Sequence, residues 1–539
     1  MATTTKVDNY LIGRTNKSRH PATMGSEWSC NMFREVNENV EYMASVPGLE
    51  HVKKIGAGQC RGAYVSTVGL ADMNNQENAF VCFGRDIYRL DVTGASVKIG
   101  SVAGGANRVI FAETGGIAPY LLIADGFNLW AYDLINGGNL LQCSLPQRVM
   151  GEEGSIRPTH VAVVHGSVVV NDAETGLVYY SIRYPLQSLT REVYLMNNGE
   201  VVYDTSNPLK LAKTTVSSLD YMFLDDYGSP QFITTYTSSD AVKAVVGIGE
   251  NLYLFGSKSI EVWQHGSTEA SQTWVQKSYT TNADNGVQAP YTIAVCSSKI
   301  YYLGSGTSYA KGILMVDGTA FKKISEDWLD AKLLKESSES AYGYAFAVGN
   351  HNFYVLQLPT NGETWVYDLD TREWHQRTSR NKETGIEQMW RPQMMIWFNE
   401  QFYAFCNDGW SYKHSEDYWY EDYADEMRIP MTRHRQGAVI VDNQKPFIFN
   451  ELAVECNVGT WDEYELQPML LLEVSSDGGN TWGNVRQASL GLSGQFSHRV
   501  RFIGLGRNRL CVLKVTYSHP TSLELTVVSQ RVTPTSAVI

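Results

Sequence analysis

Four stretches decide the fold: Ile87-Tyr88-Arg89-Leu90-Asp91, Leu129-Trp130-Ala131-Tyr132-Asp133, Ile313-Leu314-Met315-Val316-Asp317 and Trp365-Val366-Tyr367-Asp368. Each is an apolar strand that closes on Asp, and three of the four carry aromatics. Each follows two other apolar, strand-like runs. The unit recurs at about fifty residues, the period of a β-propeller blade. Units begin near Ala63, Arg108, Thr159, Lys243, Tyr291, Tyr342 and Met394. One gap is wider than the rest, and its excess, residues 184–240, reads as an insertion on one face. Long insertions in compact folds usually carry contacts. The expectation is an all-β chain with a propeller of six or seven blades over residues 63–425.

Working outward, residues 1–62 are polar and irregular, with Pro21, Pro47-Gly48 and several Gly, and read as an arm with a lead-in strand. Ser325–Ser337 places Trp328, Leu329, Leu333 and Leu334 at helical spacing and predicts one short helix. The run from Glu416 to Glu426 packs acids among aromatics. Like charges this close resist burial, so it reads as a linker or exposed strand. Beyond it, Leu452, Val454, Cys456 and Val458 alternate with polar or small residues, as do Cys511, Leu513, Val515 and Tyr517. Period two means one buried and one wet face, so residues 430–535 read as a C-terminal β-sandwich. Arg531–Ile539 reads as a tail.

Composition narrows the function. The 539 residues are 43% apolar and 12% aromatic, ample for a packed core. The formal net charge of −13 disfavours a sequence-specific nucleic-acid reader, because an acidic surface repels phosphate. An acidic lining past which DNA slides stays compatible with it. Eight dispersed cysteines without a C-x-x-C pair read as reduced core thiols. No apolar leader opens the sequence and no run is long enough to span a bilayer, so synthesis in a cytoplasm without membrane insertion is expected.

Chemistry is sparse. Ser475, Asp477, Gly479, Thr481 and Trp482 match the Asp-box turn of sialidase-type propellers. There the Asp caps a tight turn and Gly permits positive φ, a structural role. The recurring Asp91, Asp133, Asp317 and Asp368 read as turn caps, since repetition in register is unlike a catalytic pair. Asp368-Leu-Asp370 opens like a calcium loop but then places Arg372 and Glu373 where a third ligand and a Gly are needed. No catalytic residue, metal site or cofactor is expected. Two basic clusters stand out: Arg428, Arg433 and Arg435 with His434, and Arg499, Arg501, Arg507 and Arg509. Arg favours bidentate pairing across interfaces, and both clusters are candidate partner contacts.

The chain resembles the packaged-DNA stabilisation, or tail-hub (nozzle), proteins of short-tailed phages. Asn31-Met32, Pro47-Gly48-Leu49 and Arg61-Gly62 carry the likeness near the N-terminus. Val246-Gly-Ile-Gly249, Leu252–Gly256, Ser259-Ile-Glu261 and Thr364–Asp368 carry it mid-chain. Leu472–Gly478, Arg507–Leu510, Lys514-Val515 and Pro520–Leu523 carry it in the last domain. The resemblance implies a structural virion protein of the tail, made in the host cytoplasm. It implies a homo-oligomer, usually a hexameric ring, under the portal and adaptor rings. Such a ring continues the DNA channel without reading sequence, helps retain packaged DNA until ejection, and holds tailspikes or fibres and the plug. The residues leave two alternatives: a propeller glycosidase or carbohydrate-binding protein, and a kelch-like intracellular scaffold.

Overall fold

The computed structural model describes residues 4–7, 27–37, 40–66, 68, 77–149, 153–197, 199–235, 240–266, 274–277, 285–306, 309–441, 445–457, 467–495 and 498–534. A four-stranded antiparallel meander recurs along them. Its first strands are Cys60–Ser66, Ile110–Glu113, Val161–Val164, Val242–Ile248, Gly286–Cys296, Tyr342–Val348 and Met394–Phe398. These seven lie where the repeat placed them; the largest offset is Gly286 against the expected Tyr291. The chain is nearly all β, a β-propeller with a C-terminal β-sandwich.

The chain divides into two compact units. One holds Lys54–Ile324 with Pro392–Ser411, and the other holds Met1–Lys53, Ser325–Arg391 and Tyr412–Ile539.

In the first unit, neighbouring sheets share cores. Phe80, Ile87, Leu121 and Ile123 join the first sheet to the second, and Leu122, Leu129, Val168 and Val170 join the second to the third. Val169, Val178, Val245 and Leu254 continue to the fourth, and Phe255, Ile260, Ile300 and Tyr302 to the fifth. Val81, Phe83, Phe398 and Phe405 join the first sheet to the seventh. The amides of Ile55 and Gly56 both donate to the Gly409 carbonyl, at 2.9 and 3.1 Å, so the lead-in lies beside the seventh sheet. Neighbouring repeats approach each other closely at glycines. A Cβ on Gly62 would stand 2.4 Å from the Val109 oxygen, and one on Gly247 would stand 2.6 Å from Val164 Cγ2. Only glycine fits such an approach.

The insertion leaves the third sheet between Leu177–Arg183 and Phe232–Thr234. It contains three two-stranded ladders: Thr190–Tyr194 with Lys213–Ser217, Met196–Asn197 with Glu200–Val201, and Tyr203–Asp204 with Asn207–Leu211.

In the second unit, one sheet runs from the sixth repeat into the sandwich. The strand Glu373–Arg380 pairs in parallel with Trp28–Cys30. That strand pairs with Arg433–Gln436, which continues to Leu510–Tyr517, Met469–Ser475 and Arg486–Ser489. The facing sheet orders Met32–Asn37, Val40–Ser45, Glu524–Pro534, Phe447–Asn457 and His498–Ile503. Met32, Met43, Phe449, Leu452, Leu472, Phe502, Leu513 and Leu525 fill the space between.

Three expectations are corrected here. The N-terminal segment is not irregular where it is described: Thr4–Val7, Trp28–Cys30, Met32–Asn37 and Val40–Ser45 are sandwich strands, because Met32 and Met43 supply core surface. Pro21 lies outside the described residues. The closing tail is also strand as far as Pro534, laid along Phe447–Asn457. The acidic aromatic run forms a hairpin, Tyr420–Asp422 with Arg428–Pro430, but its first strand also bridges Leu49, and Glu421 and Asp422 are buried. Each has donors that replace water. Ser379 Oγ and the Arg380 amide reach Glu421 at 2.6 and 3.2 Å, while the His51 amide and ring reach Asp422 at 3.1 and 2.9 Å.

The one helix among the described residues is Asp327–Leu333, with Leu329 and Leu333 buried. All eight cysteines are free; seven are buried and Cys296 is half-buried. Burial pushes the thiols of Cys60, Cys82 and Cys143 up to about 12, which makes them unreactive at neutral pH.

Candidate functional site

The repeating aspartates are turn caps in geometry. Asp91 Oδ1 accepts the Thr93 amide, the Thr93 hydroxyl and the Ala95 amide at 2.9, 2.6 and 3.0 Å. Asp133 Oδ1 accepts the Ile135 and Asn136 amides, both at 2.8 Å. Asp368 Oδ1 accepts the Asp370 amide at 3.0 Å. Asp317 instead pairs with Lys299 at 3.2 Å.

The Asp-box residues build a turn after Met469–Ser475. Asp477 Oδ1 accepts the Ser475 hydroxyl and the Asn480 and Thr481 amides, and Oδ2 accepts the Thr481 hydroxyl at 2.6 Å. Ser475 Oγ accepts the Gly479 amide at 2.8 Å. Gly479 has φ +93°, and the Lys514 ammonium stands 4.5 Å over the Trp482 ring. The Thr481 hydrogen bonds lead in holding the Asp477 carboxyl well below the usual carboxylate range. Every oxygen contact serves the turn, and nothing about it is arranged for substrate.

Where the first strands of the first unit converge, side chains meet that the repeat pattern did not single out. Arg61 donates through Nε to the Asn107 carbonyl at 2.6 Å and through Nη1 to Gly84 and Ala103 at 2.9 and 2.6 Å. Arg108 reaches the Cys60 carbonyl at 2.6 Å and the Gln393 carbonyl at 3.1 Å, linking the second repeat to the first and the seventh. His160, from the third repeat, stacks on Tyr291, from the fifth, with centroids 5.5 Å apart. Arg61, Arg108 and His160 are buried. Burial lowers the His160 imidazole to about 4 and pushes the Tyr291 phenol up to about 12. The centre of this unit is thus a packed plug joining five repeats. The signal was available: Arg61-Gly62 and Arg108-Val109 put Arg at the same place in two successive repeats.

The candidate arginines separate into two kinds. Arg433 and Arg435 are fully buried, which corrects their reading as partner contacts. Arg433 donates to the His519 carbonyl at 3.0 Å and lies over Trp419 and Tyr517 at 5.1 and 5.7 Å. Arg435 stands 3.7 Å from Glu27. Strand alternation in Arg433–Gln436 turns both inward, and the aromatic faces around Arg433 accept its guanidinium. The remaining ones are exposed. Arg428 lies 3.4 Å from Asp422, and Arg501 bonds Glu451 at 2.5 Å. Arg499 donates to Ser529 Oγ at 3.0 Å. Arg507 and Arg509 lie on either side of the buried Asn508, just after Gly506.

A buried charge cluster also lies in the second unit. His351 Nδ1 is 2.7 Å from Asp368 Oδ2, and Nε2 is 2.6 Å from Glu35 Oε2. Burial pulls the imidazole down, but the bonds and charges of Asp368 and Glu35 outweigh it and raise it to about 9. His351, Asp368 and Asp370 are close enough together to ligate a metal. An imidazolium with both nitrogens committed to carboxylates is a poor ligand, and the cluster reads as an ion-pair clamp.

Two family models match the chain: the β-propeller of bacteriophage P22 Gp10 over residues 210–411, and the β-sandwich of the same protein over residues 433–533. No curated protein matches. Among solved structures, BBS1N in complex with ARL6DN is 10% identical, with 69% of this chain and 98% of that one covered and a TM-score of 0.35. A catalytically inactive virginiamycin B lyase from Staphylococcus aureus is 10% identical, with 66% and 96% covered and a TM-score of 0.30. At such scores neither likeness carries an argument. The two Gp10 models together span more than half of the chain in the order expected of its domains, and the chain belongs to the Gp10 family of tail-hub, packaged-DNA-stabilising proteins of short-tailed phages, structural components of the virion tail.

Proposed function

We propose that the chain is a non-catalytic ring subunit, most simply one of six, below the portal and adaptor. The ring continues the DNA channel, retains packaged DNA, and anchors tailspikes or fibres and the plug. The observation that carries this reading is the packed centre formed by Arg61, Arg108, His160 and Tyr291. These buried side chains, bonded to the strands around them, leave no room for a duplex among them. We therefore place the DNA passage between copies of the chain, which is what a ring supplies. The Asp-box that suggests a propeller glycosidase is spent on its own turn. The net charge of −13 suits a passage that DNA crosses without sticking, since each phosphate contact would add a salt-sensitive attraction.

The test is the absolute mass of the purified chain by light scattering, alone and with its portal–adaptor complex. About six chains in either state supports the ring. A chain that stays monomeric and does not join the complex overturns it.

A further inference from the structure

The outer face of the sandwich carries an exception to the acidity of this chain. Along His498–Ile503, Val500 and Phe502 turn into the core, while Arg499, Arg501 and Ile503 face solvent. Arg531, on Glu524–Pro534, opens onto the same depression as Arg499 and Arg501, together with Glu451, Ser529 and Gln530. Arg501 bonds Glu451, and that bond leads in holding the Glu451 carboxyl below its ordinary range, with Arg531 and Arg499 adding to it. Among the described residues Glu451 is the only carboxylate in an ion pair with any of the three. Glu455 lies opposite Arg499 on the same face, so three guanidiniums stand against two acids and the face is locally cationic. It is also apolar at its rim: Ile503 is 66% exposed and Ile448 37%. A phosphate backbone has no use for aliphatic side chains, whereas arginine beside exposed aliphatics is the composition of a protein contact.

The complementary surface is present on the same chain. Residues 184–240 hold seven acids, Glu192, Glu200, Asp204, Asp220, Asp225, Asp226 and Asp240, against three bases, Arg191, Lys210 and Lys213. Leu189, Leu195 and Tyr203 are 51%, 40% and 59% exposed there. The segment is built of two-stranded ladders, which bury too little to be firmly ordered alone. We propose that this arm of one copy docks on the Arg499–Arg501–Arg531 face of the next copy. The contact joins two different surfaces, head to tail, the kind of contact that builds a ring when its rotation closes. It rests on the ring reading above.

The experiment compares ring formation, in the presence of the portal–adaptor complex, for four full-length chains. They are the wild type, the Arg499→Glu/Arg501→Glu double variant, the Glu192→Lys/Glu200→Lys double variant, and the chain carrying all four changes. All four positions are solvent-facing, and unchanged melting by circular dichroism certifies the fold. Each double variant is expected to need at least tenfold more protein to form rings, and the combined chain to recover most of that loss. A photo-cross-linking residue in place of Leu195 is expected to join residues 447–457, 498–503 or 524–534 of another copy. Rings from either double variant at the wild-type concentration, no recovery in the combined chain, or a cross-link elsewhere overturns the docking while leaving the ring reading intact. A wild-type chain that forms no ring overturns the ring reading itself.

Discussion

Asn31 acts as a strand surrogate for Thr378. Its Oδ1 accepts the Thr378 amide at 2.9 Å, and its Nδ2 donates to the Thr378 carbonyl at 3.1 Å and to the Thr432 carbonyl at 2.8 Å. Asn31 itself has φ +54°, a conformation Asn tolerates better than most residues. One side chain thereby pins the sixth repeat to the strand entering the sandwich, at a point where the backbone pairing between Trp28–Cys30 and Glu373–Arg380 is a single register pair. Replacing Asn31 with Ala leaves a buried amide and two carbonyls without these partners. The expected loss is at least about 3 kcal/mol, from a net cost on the order of 1–3 kcal/mol for each of the three orphaned buried groups. Urea unfolding followed by tryptophan fluorescence checks it; a midpoint equal to wild type would contradict the pinning role.

How much of this was legible beforehand follows from how local each signal is. The repeats could be read because strand alternation and the Asp caps, such as Asp133 over Ile135 and Asn136, are written within a few residues. The burial of Arg433 could not, because it depends on Trp419 and Tyr517, fourteen and eighty-four positions away. Glu421 and Asp422 were misjudged for the same reason: the donors that replace water come from Ser379, Arg380 and His51. The Arg61–Arg108 cluster was half legible, as a recurring Arg whose partners, such as the Gln393 carbonyl, lie far along the chain.

His351 makes the second unit sensitive to base. Its folded-state pKa of about 9 lies above the ordinary value near 6.5. A raised pKa contributes stability that is fully present below about 6.5 and is lost as pH rises through about 9. The melting temperature of the chain is expected to fall across that window. His351→Gln is expected to melt lower than wild type at pH 6 and to show a flatter profile from 6.5 to 9. Parallel wild-type and variant profiles would exclude the clamp as their source.

His160 gives the first unit the opposite dependence. Its imidazole is held at about 4 by burial, so it is neutral in the fold at pH values where the unfolded chain protonates. Stability is full above about 6.5 and declines as pH falls towards 4. The loss is on the order of 3 kcal/mol, from about 1.4 kcal/mol per unit. Denaturant midpoints measured between pH 7 and 4 are expected to drop for wild type and to drop less for His160→Gln. Equal slopes would assign the acid limb to other groups, of which the buried His414, lowered to about 3 by burial, is the first candidate.

Arg433 separates folding from assembly. Burial lowers its guanidinium to about 10, so it remains charged at neutral pH while packed between Trp419 and Tyr517. Arg433→Glu puts a carboxylate against two aromatic faces and the His519 carbonyl. Removing the partner of a buried polar arrangement in this way costs about 3–5 kcal/mol. The variant is expected to lose soluble, folded protein rather than to yield a folded monomer that fails to form rings. Arg433→Met keeps the volume and the aromatic contact without the charge, and buried charges replaced by apolar groups of similar size are often tolerated. It is expected to stay soluble and to assemble as wild type does. Soluble yield and melting by circular dichroism, followed by light scattering of whatever folds, distinguish the cases. A folded, monomeric Arg433→Glu chain would return this residue to the interface.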